Sequence, residues 1–390
     1  MSPNFINVVS TASTGVLGGL PRSIVCVTRE TIAGYTPDVN SGLIRVTAAM
    51  KAAFQTANPT AYGTNQFLDE AYAGSVQPDQ VYILPTGGGA LTSAMLDKAN
   101  YSPRSWSFLT VRSQDNGLSD EATFLADCVT ASDWAVPSLR KVFFHSFSMV
   151  NGDTLPAAIL LGGDLTTNDR TISIITNAYT TVGDGGSGDE DVYHNPLVAA
   201  LCWSLYGGSP ARSIGSLSDC HDLPGVDGDT YDAATRTYIE GQSLMQYNGA
   251  KDQAGSLFCY NTYMNSTVNP PTTPEIETII AEDYIDDYVT VFVRNTLQAA
   301  GQTGLEASMK GVAGLYALIN TALNTAWSLG AIQSTPEGSP DYSLIMLNQA
   351  QITALDPAWR SDGTIPVGSI VGTIKPYAAV HYVTIKFNFN

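Results

Sequence analysis

The sequence predicts an α/β fold, α+β when the whole chain is counted, and three stretches carry that prediction. Residues 107–147 read strand, helix, strand; residues 274–329 hold two amphipathic helices in series; and the closing segment AVHYVTIKFNFN alternates from one side to the other. A chain of 390 residues, 44% of them hydrophobic, is long enough for a substantial core and for two or three domains.

Taken in order, residues 5–9 suit a short strand, and the Ser/Thr/Gly run 10–19 suits an extended arm. The start, MSPNFINVVSTASTG, has neither a basic opening nor a continuous apolar segment, so no signal peptide is expected. Residues 23–28 read as a strand. Leu43, Val46, Met50 and Phe54 then fall at helical steps, predicting a helix that ends before Pro59, with a shorter one over 67–73. Residues 81–84, bracketed by Pro78 and Pro85, read as a buried strand.

FLTV at 108–111 begins the central unit. Ser119 caps a helix through Phe124, Leu125 and Cys128, and KVFFHSF at 141–147 returns as a strand. Strand, helix and strand in this order favour parallel pairing with a right-handed crossover. A further strand at 172–176 leads through an acidic glycine loop to Asn195, placed to cap a helix that starts at Pro196 and ends before Gly207. Residues 35–210 therefore read as one α/β domain. From 209 to 269 the chain is rich in Gly, Asp and Tyr, and reads as loops and short strands.

Pro270 and Pro271 punctuate the entry to the helical pair. Thr273 reads as the first cap, with Pro274 at the first helical position and Glu275 and Glu277 at the positive end of the dipole. Ile285, Tyr288, Val289, Phe292, Val293 and Leu297 share one face. After Gly301 and Gly304, Thr303 and Glu306 have the spacing of a capping box. Met309, Val312, Ala313, Tyr316, Ile319, Leu323 and Trp327 form the second stripe, which Gly330 ends. Residues 343–347 and 370–374 are expected strands. At the close, His381, Val383, Ile385, Phe387 and Phe389 point one way, and Tyr382, Thr384, Lys386 and Asn388 the other. A strand so placed is expected to pair with its own sheet or with a neighbour's.

Composition narrows the function. Only 14% of residues are charged, against about 25% in ordinary globular proteins, so the surface is largely Ser, Thr, Asn, Gly and Ala, as suits a surface covered in an assembly. A net charge of -18 argues against nucleic-acid binding, and no apolar run approaches the roughly 18 residues of a membrane helix. Five scattered cysteines without a CxxC fit a reducing compartment, the cytoplasm.

The chemical motifs do not build an enzyme. Gly183, Gly185 and Gly188 match a dinucleotide spacing, but Asp184, Asp189, Glu190 and Asp191 put negative charge where a pyrophosphate would sit. A solvated loop fits 183–191 better than a calcium site. Asp227, Asp229 and Asp232 begin like a calcium loop but lack the glycine of its sharp turn. Gly87 to Gly89 follow a strand without the Gly-Lys-Ser/Thr of a phosphate loop. Cys220 and His221 are adjacent in sequence and so point apart, and His145, His194 and His381 are isolated. No cofactor and no metal is expected.

The order of parts, and above all IDDYVTVFVRNTLQAAGQTGLEASMKGVAGLYALINTALNTAWSLGAI at 285–332, resembles the tail sheath proteins of contractile-tailed bacteriophages. An aspartate-rich helix start, Arg294, a glycine-containing break and a final Gly-Ala-Ile carry the likeness, with 378–385 as a second match. The resemblance implies a core domain built from N- and C-terminal parts, with the βαβ-containing middle domain inserted and the terminal arms extended. The division is then 1–34 for the N-terminal arm and first strand, 35–210 for the outer middle domain, 211–379 for the inner core domain and 380–390 for the C-terminal arm. It implies strand exchange between subunits through Asn4, Phe5, Ile6, Val8, Val380, His381, Val383, Ile385, Phe387 and Phe389. It also implies a tube-facing helix with Lys310, Tyr316, Asn320 and Asn324, although Lys310 is the only basic residue there. Expected partners are copies of the chain itself, the tail tube protein, and baseplate and tail terminator proteins, in a virion tail assembled in the host cytoplasm. Nucleic acid and stable membrane insertion are not expected. The rival readings are another virion component, such as a tube or capsid protein, and a cytoplasmic enzyme with a doubly wound domain.

Overall fold

The structure, a computed structural model, describes residues 23–72, 77–101, 106–112, 121–136, 139–148, 154–160, 162–168, 170–176, 232–242, 245–248, 258–260, 276–299 and 305–376. Eight strands form one sheet: β1 (Ile24–Thr28), β2 (Ile44–Val46), β3 (Val81–Pro85), β4 (Phe108–Arg112), β5 (Val142–Ser148), β6 (Thr171–Thr176), β7 (Met245–Asn248) and β8 (Phe258–Tyr260). Their order is β2-β3-β1-β4-β5-β6-β7-β8. The six from β3 to β7 run parallel, and β2 and β8 close the two edges antiparallel. The expected pairing of β4 with β5 is present and parallel.

Parallel strands need helical crossovers, and those helices bury both faces of the sheet. Every residue of β1 is buried, as its run of Ile, Val, Cys, Val and Thr requires. Odd and even positions feed different cores. Ile24, Cys26, Phe108, Phe144 and Ile172 pack with Phe54 of α1 (Lys51–Ala57) and Phe67 and Leu68 of α2 (Tyr62–Ala71). Val25, Val27, Leu109, Val111 and Phe143 pack on the other face with α3 (Ser93–Ala99), α4 (Glu121–Trp134) and Ile239 of α5 (Ala233–Gly241).

Buried ion pairs tie these layers together. Arg29, next to β1, grips Asp127 of α4 at 2.6 and 2.8 Å, and Arg112 at the end of β4 pairs with Glu70 of α2. Cys26 and Cys128 are buried free thiols, and burial pushes both well above the ordinary thiol range.

Several expectations need correction. Leu43 and Val46 do not open a helix: Ile44, Arg45 and Val46 form β2, buried, exposed, buried, opposite β3, and a 3-10 turn at Ala48–Met50 precedes α1. The step from Leu43 to Val46 suits a helix, but along the extended chain the two residues face opposite ways and enter different cores; β-branched Ile44 and Val46 around an exposed Arg45 are the strand signal. Residues 233–241, read as loop, are helix α5, and the Thr235 N–H donates to Asp232 at 2.7 Å, so Asp232 serves as a helix cap. The eight-stranded sheet draws β1 from before residue 35 and β7 and β8 from after residue 210. Ser119, the 195–207 helix, both terminal arms and the Cys220–His221 pair lie outside the described residues.

The C-terminal part adds α6 (Ile276–Ala299), α7 (Met309–Ser328), the hairpin strands β9 (Tyr342–Met346) and β10 (Ile370–Ile374), and between them α8 (Gln349–Leu355). Ile279 and Ile280 of α6 belong to the sheet core, whereas Tyr284, Ile285 and Tyr288 pack with Ala322, Leu323 and Ala326 of α7. One helix thus serves two cores. The cap of α7 is Ser308, whose hydroxyl accepts from the Gly311 N–H, not the expected Thr303, which lies outside the described residues. Gly330, with φ of 83°, ends the helix as expected.

Two glycines of α7 make opposite predictions. A Cβ on Gly311 meets the Glu306 carbonyl oxygen at 1.9 Å, whereas one on Gly314 finds only ordinary contact with Leu305 at 3.6 Å. In urea unfolding, Gly311→Ala is expected to lose about 1–3 kcal/mol, and Gly314→Ala to be neutral or to gain up to about 1 kcal/mol.

Candidate functional site

The surface built by α6, α7 and the β9–β10 hairpin is the candidate site. Along α6 an aromatic row is built by i, i+4 contacts, with the ring centroids of Tyr284 and Tyr288 5.6 Å apart and those of Tyr288 and Phe292 6.0 Å apart, and this row packs in one apolar cluster with α7. The α7 stripe places Leu323, Ala326 and Ile319 inward, in contact with that row. Small residues at 322 and 326 let the helices approach closely.

The outward face of α7 follows by subtraction. Lys310, Ala313, Ala317, Thr321, Asn324 and Ser328 are exposed and recur at steps of three and four. Thr321 donates to Ala317 O at 2.9 Å and Ser328 to Thr325 O at 2.7 Å, so these hydroxyls serve their own helix. What remains is a narrow, nearly neutral face of small side chains with one lysine at its start.

The four residues expected on a tube-facing helix divide into two pairs. Lys310 and Asn324 lie in the exposed stripe. Tyr316 and Asn320 lie beside it, half-buried against β9: the Tyr342 hydroxyl donates to Asn320 Oδ1 at 2.8 Å. Partial burial, with Tyr316 as the second cause, holds the Tyr342 phenol above its ordinary range. Ala313, expected in the apolar stripe, is exposed. Its small side chain gave no signal either way, and the exposed Ala317, Thr321 and Ser328 were silent for the same reason.

The hairpin carries the other half of the surface. Tyr342 and Leu344 turn toward α7, while Ile345 and Val371, directly paired across the two strands, are 59% and 43% exposed. Ser343 and Thr373 bond through their hydroxyls beside them at 2.9 Å. Below the ribbon, α8 is fixed by a full capping box of Asn348 and Gln351, and Ile352 and Trp359 are buried with Val312 of α7. An isolated two-stranded ribbon is marginal in water, and this one has apolar side chains on its open face. Among the described residues, β9 and β10 pair in a sheet only with each other.

Other chemistry is sparse. Among the described residues, no three His, Cys, Asp or Glu side chains converge as metal ligands, and no helix is long and apolar enough to cross a membrane.

The sequence matches no family model and no curated relative. Solved structures do match over the whole length. A chain in the cryo-EM structure of the anti-feeding prophage (AFP) helical sheath in contracted state superposes with a TM-score of 0.63 at 12% identity, covering 100% of this chain and 99% of that one. A chain in the AFP baseplate structure superposes with a TM-score of 0.61 at 10% identity, with coverage of 100% and 99%. The fold is therefore that of contractile-sheath chains, and the expected resemblance to that family stands at the level of the fold.

Asn320 and Asn324 differ in environment, so their alanine variants should differ in stability. Thermal denaturation followed by circular dichroism is expected to show Asn320→Ala losing about 1 kcal/mol with the Tyr342 bond, and Asn324→Ala staying within about 0.5 kcal/mol of the parent.

Proposed function

We propose that the chain is a tail sheath subunit of a contractile phage tail or a related contractile injection particle. It polymerises helically around a tail tube and contracts to drive that tube through a host envelope, without nucleotide hydrolysis. The observation that carries this reading is the end-to-end superposition on a chain of the AFP helical sheath. In this reading the protein is a structural part and not an enzyme, located in the tail of the particle, assembled in the host cytoplasm, with tube, baseplate and tail terminator proteins as partners.

The geometry supplies a means of assembly. The β9–β10 ribbon is a short sheet whose open face exposes Ile345 and Val371 beside Ser343 and Thr373, and 380–389 and 4–8 read from the sequence as apolar-alternating or strand-like segments. A neighbour's arm laid along a ribbon edge adds main-chain hydrogen bonds that need no particular side chains, so links between subunits survive while the bodies turn. The small, neutral face of α7 suits contact with a tube through shape. Its single lysine, Lys310, offers little electrostatic attachment.

The nearly equal superposition on an AFP baseplate chain supports a second reading, a sheath-like chain confined to one end of the particle. Such a chain is expected to stop at short rings, whereas a sheath subunit continues.

Removing residues 383–390 separates arm-mediated assembly from folding. The truncated chain is expected to remain soluble and monomeric in sedimentation velocity under conditions where the full chain forms large polymers; sheaths of normal length from the truncated chain would contradict the strand-exchange reading.

A further inference from the structure

Helix α6 meets the sheet through charge as well as through Ile279 and Ile280. One turn further on, Asp283, Asp286 and Asp287 face the N-terminal starts of β5 and β6. Arg170, the residue before β6, makes a two-pronged pair with Asp283 at 2.5 and 3.0 Å. Arg140 pairs with Asp286 at the solvent-exposed rim of the seam, outside its buried part. Between them Lys141 donates to the Trp106 carbonyl, lies 4.3 Å from the centroid of the Trp106 ring, and faces Asp283 and Asp287. Lys141, Arg170, Asp283 and Asp287 are all buried. Arg140 has φ of 52°, the only positive value for a non-glycine residue among those described, so the turn that delivers Arg140 and Lys141 to this seam is held in a costly conformation.

Buried ion pairs fix geometry well and add little net stability, because desolvation offsets most of the attraction. A joint of this kind selects one orientation yet opens at small cost, whereas an all-apolar joint tolerates sliding. Beyond the seam the same helix runs on into the α7 core, so a change of angle here is carried to the whole α7 and hairpin body. We propose that the seam of Asp283, Asp286 and Asp287 with Arg170, Arg140 and Lys141 is a releasable latch, which sets the angle between the sheet body and the α6–α7 body and opens to let it change. The latch belongs to the single chain. Its use during lattice contraction rests on the sheath reading above.

Lys141 gives the latch an acid dependence. Burial lowers its ammonium from 10.5 to about 7, against the pull of Asp283 and Asp287. The remaining charged groups at the seam are Arg140, Arg170, Asp286 and Glu282, and Trp106 offers only its ring and carbonyl; burial, then Asp283, holds the Glu282 carboxyl above its ordinary range, with Arg170 opposing. Undocking α6 exposes Lys141 and returns it to the ordinary lysine range, so opening takes up a proton in the window between the two values. Docking is therefore favoured toward the top of that window, weakens as pH falls, and levels off below about 7.

The test places spin labels, as unnatural amino acids, at the exposed positions Lys98 and Thr321 of the full chain and measures their separation by pulsed electron resonance. The expected result is a second distance population whose ratio to the first rises about tenfold per pH unit on going from pH 8.5 toward 7. Lys141→Met is expected to abolish that pH dependence. Arg170→Ala is expected to raise the second population at every pH, and the exchange Arg170→Asp with Asp283→Arg to restore the first. One unchanged distance in the parent across this range and in Arg170→Ala overturns the latch; should Arg170→Ala fail to fold, the parent series and Lys141→Met decide alone.

Discussion

Among the described residues, helix α6 is shared by the two bodies. Its first turns carry Ile279 and Ile280 into the sheet core, and its next turns carry Tyr284, Ile285 and Tyr288 into the core shared with α7. A helix of 24 residues is about 36 Å long, enough to span two cores as one rigid strut. The aspartates that give this stretch its sequence signature lie at the change of partner. Asp283, Asp286 and Asp287 are spaced to meet bases on the sheet side while the aromatic row meets α7. The strut therefore has an oriented attachment at one end and a packed one at the other.

The sheet was legible where strands were short, apolar and bracketed. β1, β3, β4, β5 and β6 lie where Ile24, Val81, Phe108, Phe143 and Ile172 announce them, because strands buried on both faces read as continuous apolar runs. β2 was hidden because three residues are too few to show a period, and because Leu43 and Val46 share a spacing with the helix that follows. The cap of α7 is hard to place from the sequence because Thr303 with Glu306 and Ser308 with Gly311 offer alternatives within a few residues; the helix begins at Met309, so Ser308 takes the role. The seam was least legible of all. Arg140, Lys141 and Arg170 stand more than a hundred residues from their aspartates, and no local pattern links them.

The candidate surface was half legible for a different reason. Lys310 and Asn324 announce exposure by polarity, and Ala317 and Ser328 announce nothing. Asn320, polar as well, turned out to hold Tyr342. A face of small side chains is nearly invisible to a pattern of hydrophobicity, yet it is the kind of face that another protein surface can approach closely. The sparse charge of the chain, 14% of its residues, has the same character throughout and fits a molecule whose outer faces are covered by copies of itself. The β9–β10 ribbon completes that picture, since two strands with Ile345 and Val371 on the open side gain most when further strands join them.

Electron microscopy of the purified full-length chain in negative stain, alone and then with the tube protein of its particle, tests the central claim most directly. A sheath subunit predicts hollow, striated cylinders of indefinite length, either from the chain alone or templated on the tube. Uniform small particles under both conditions would contradict the sheath account, and closed rings that never stack would transfer the chain to the end of the particle.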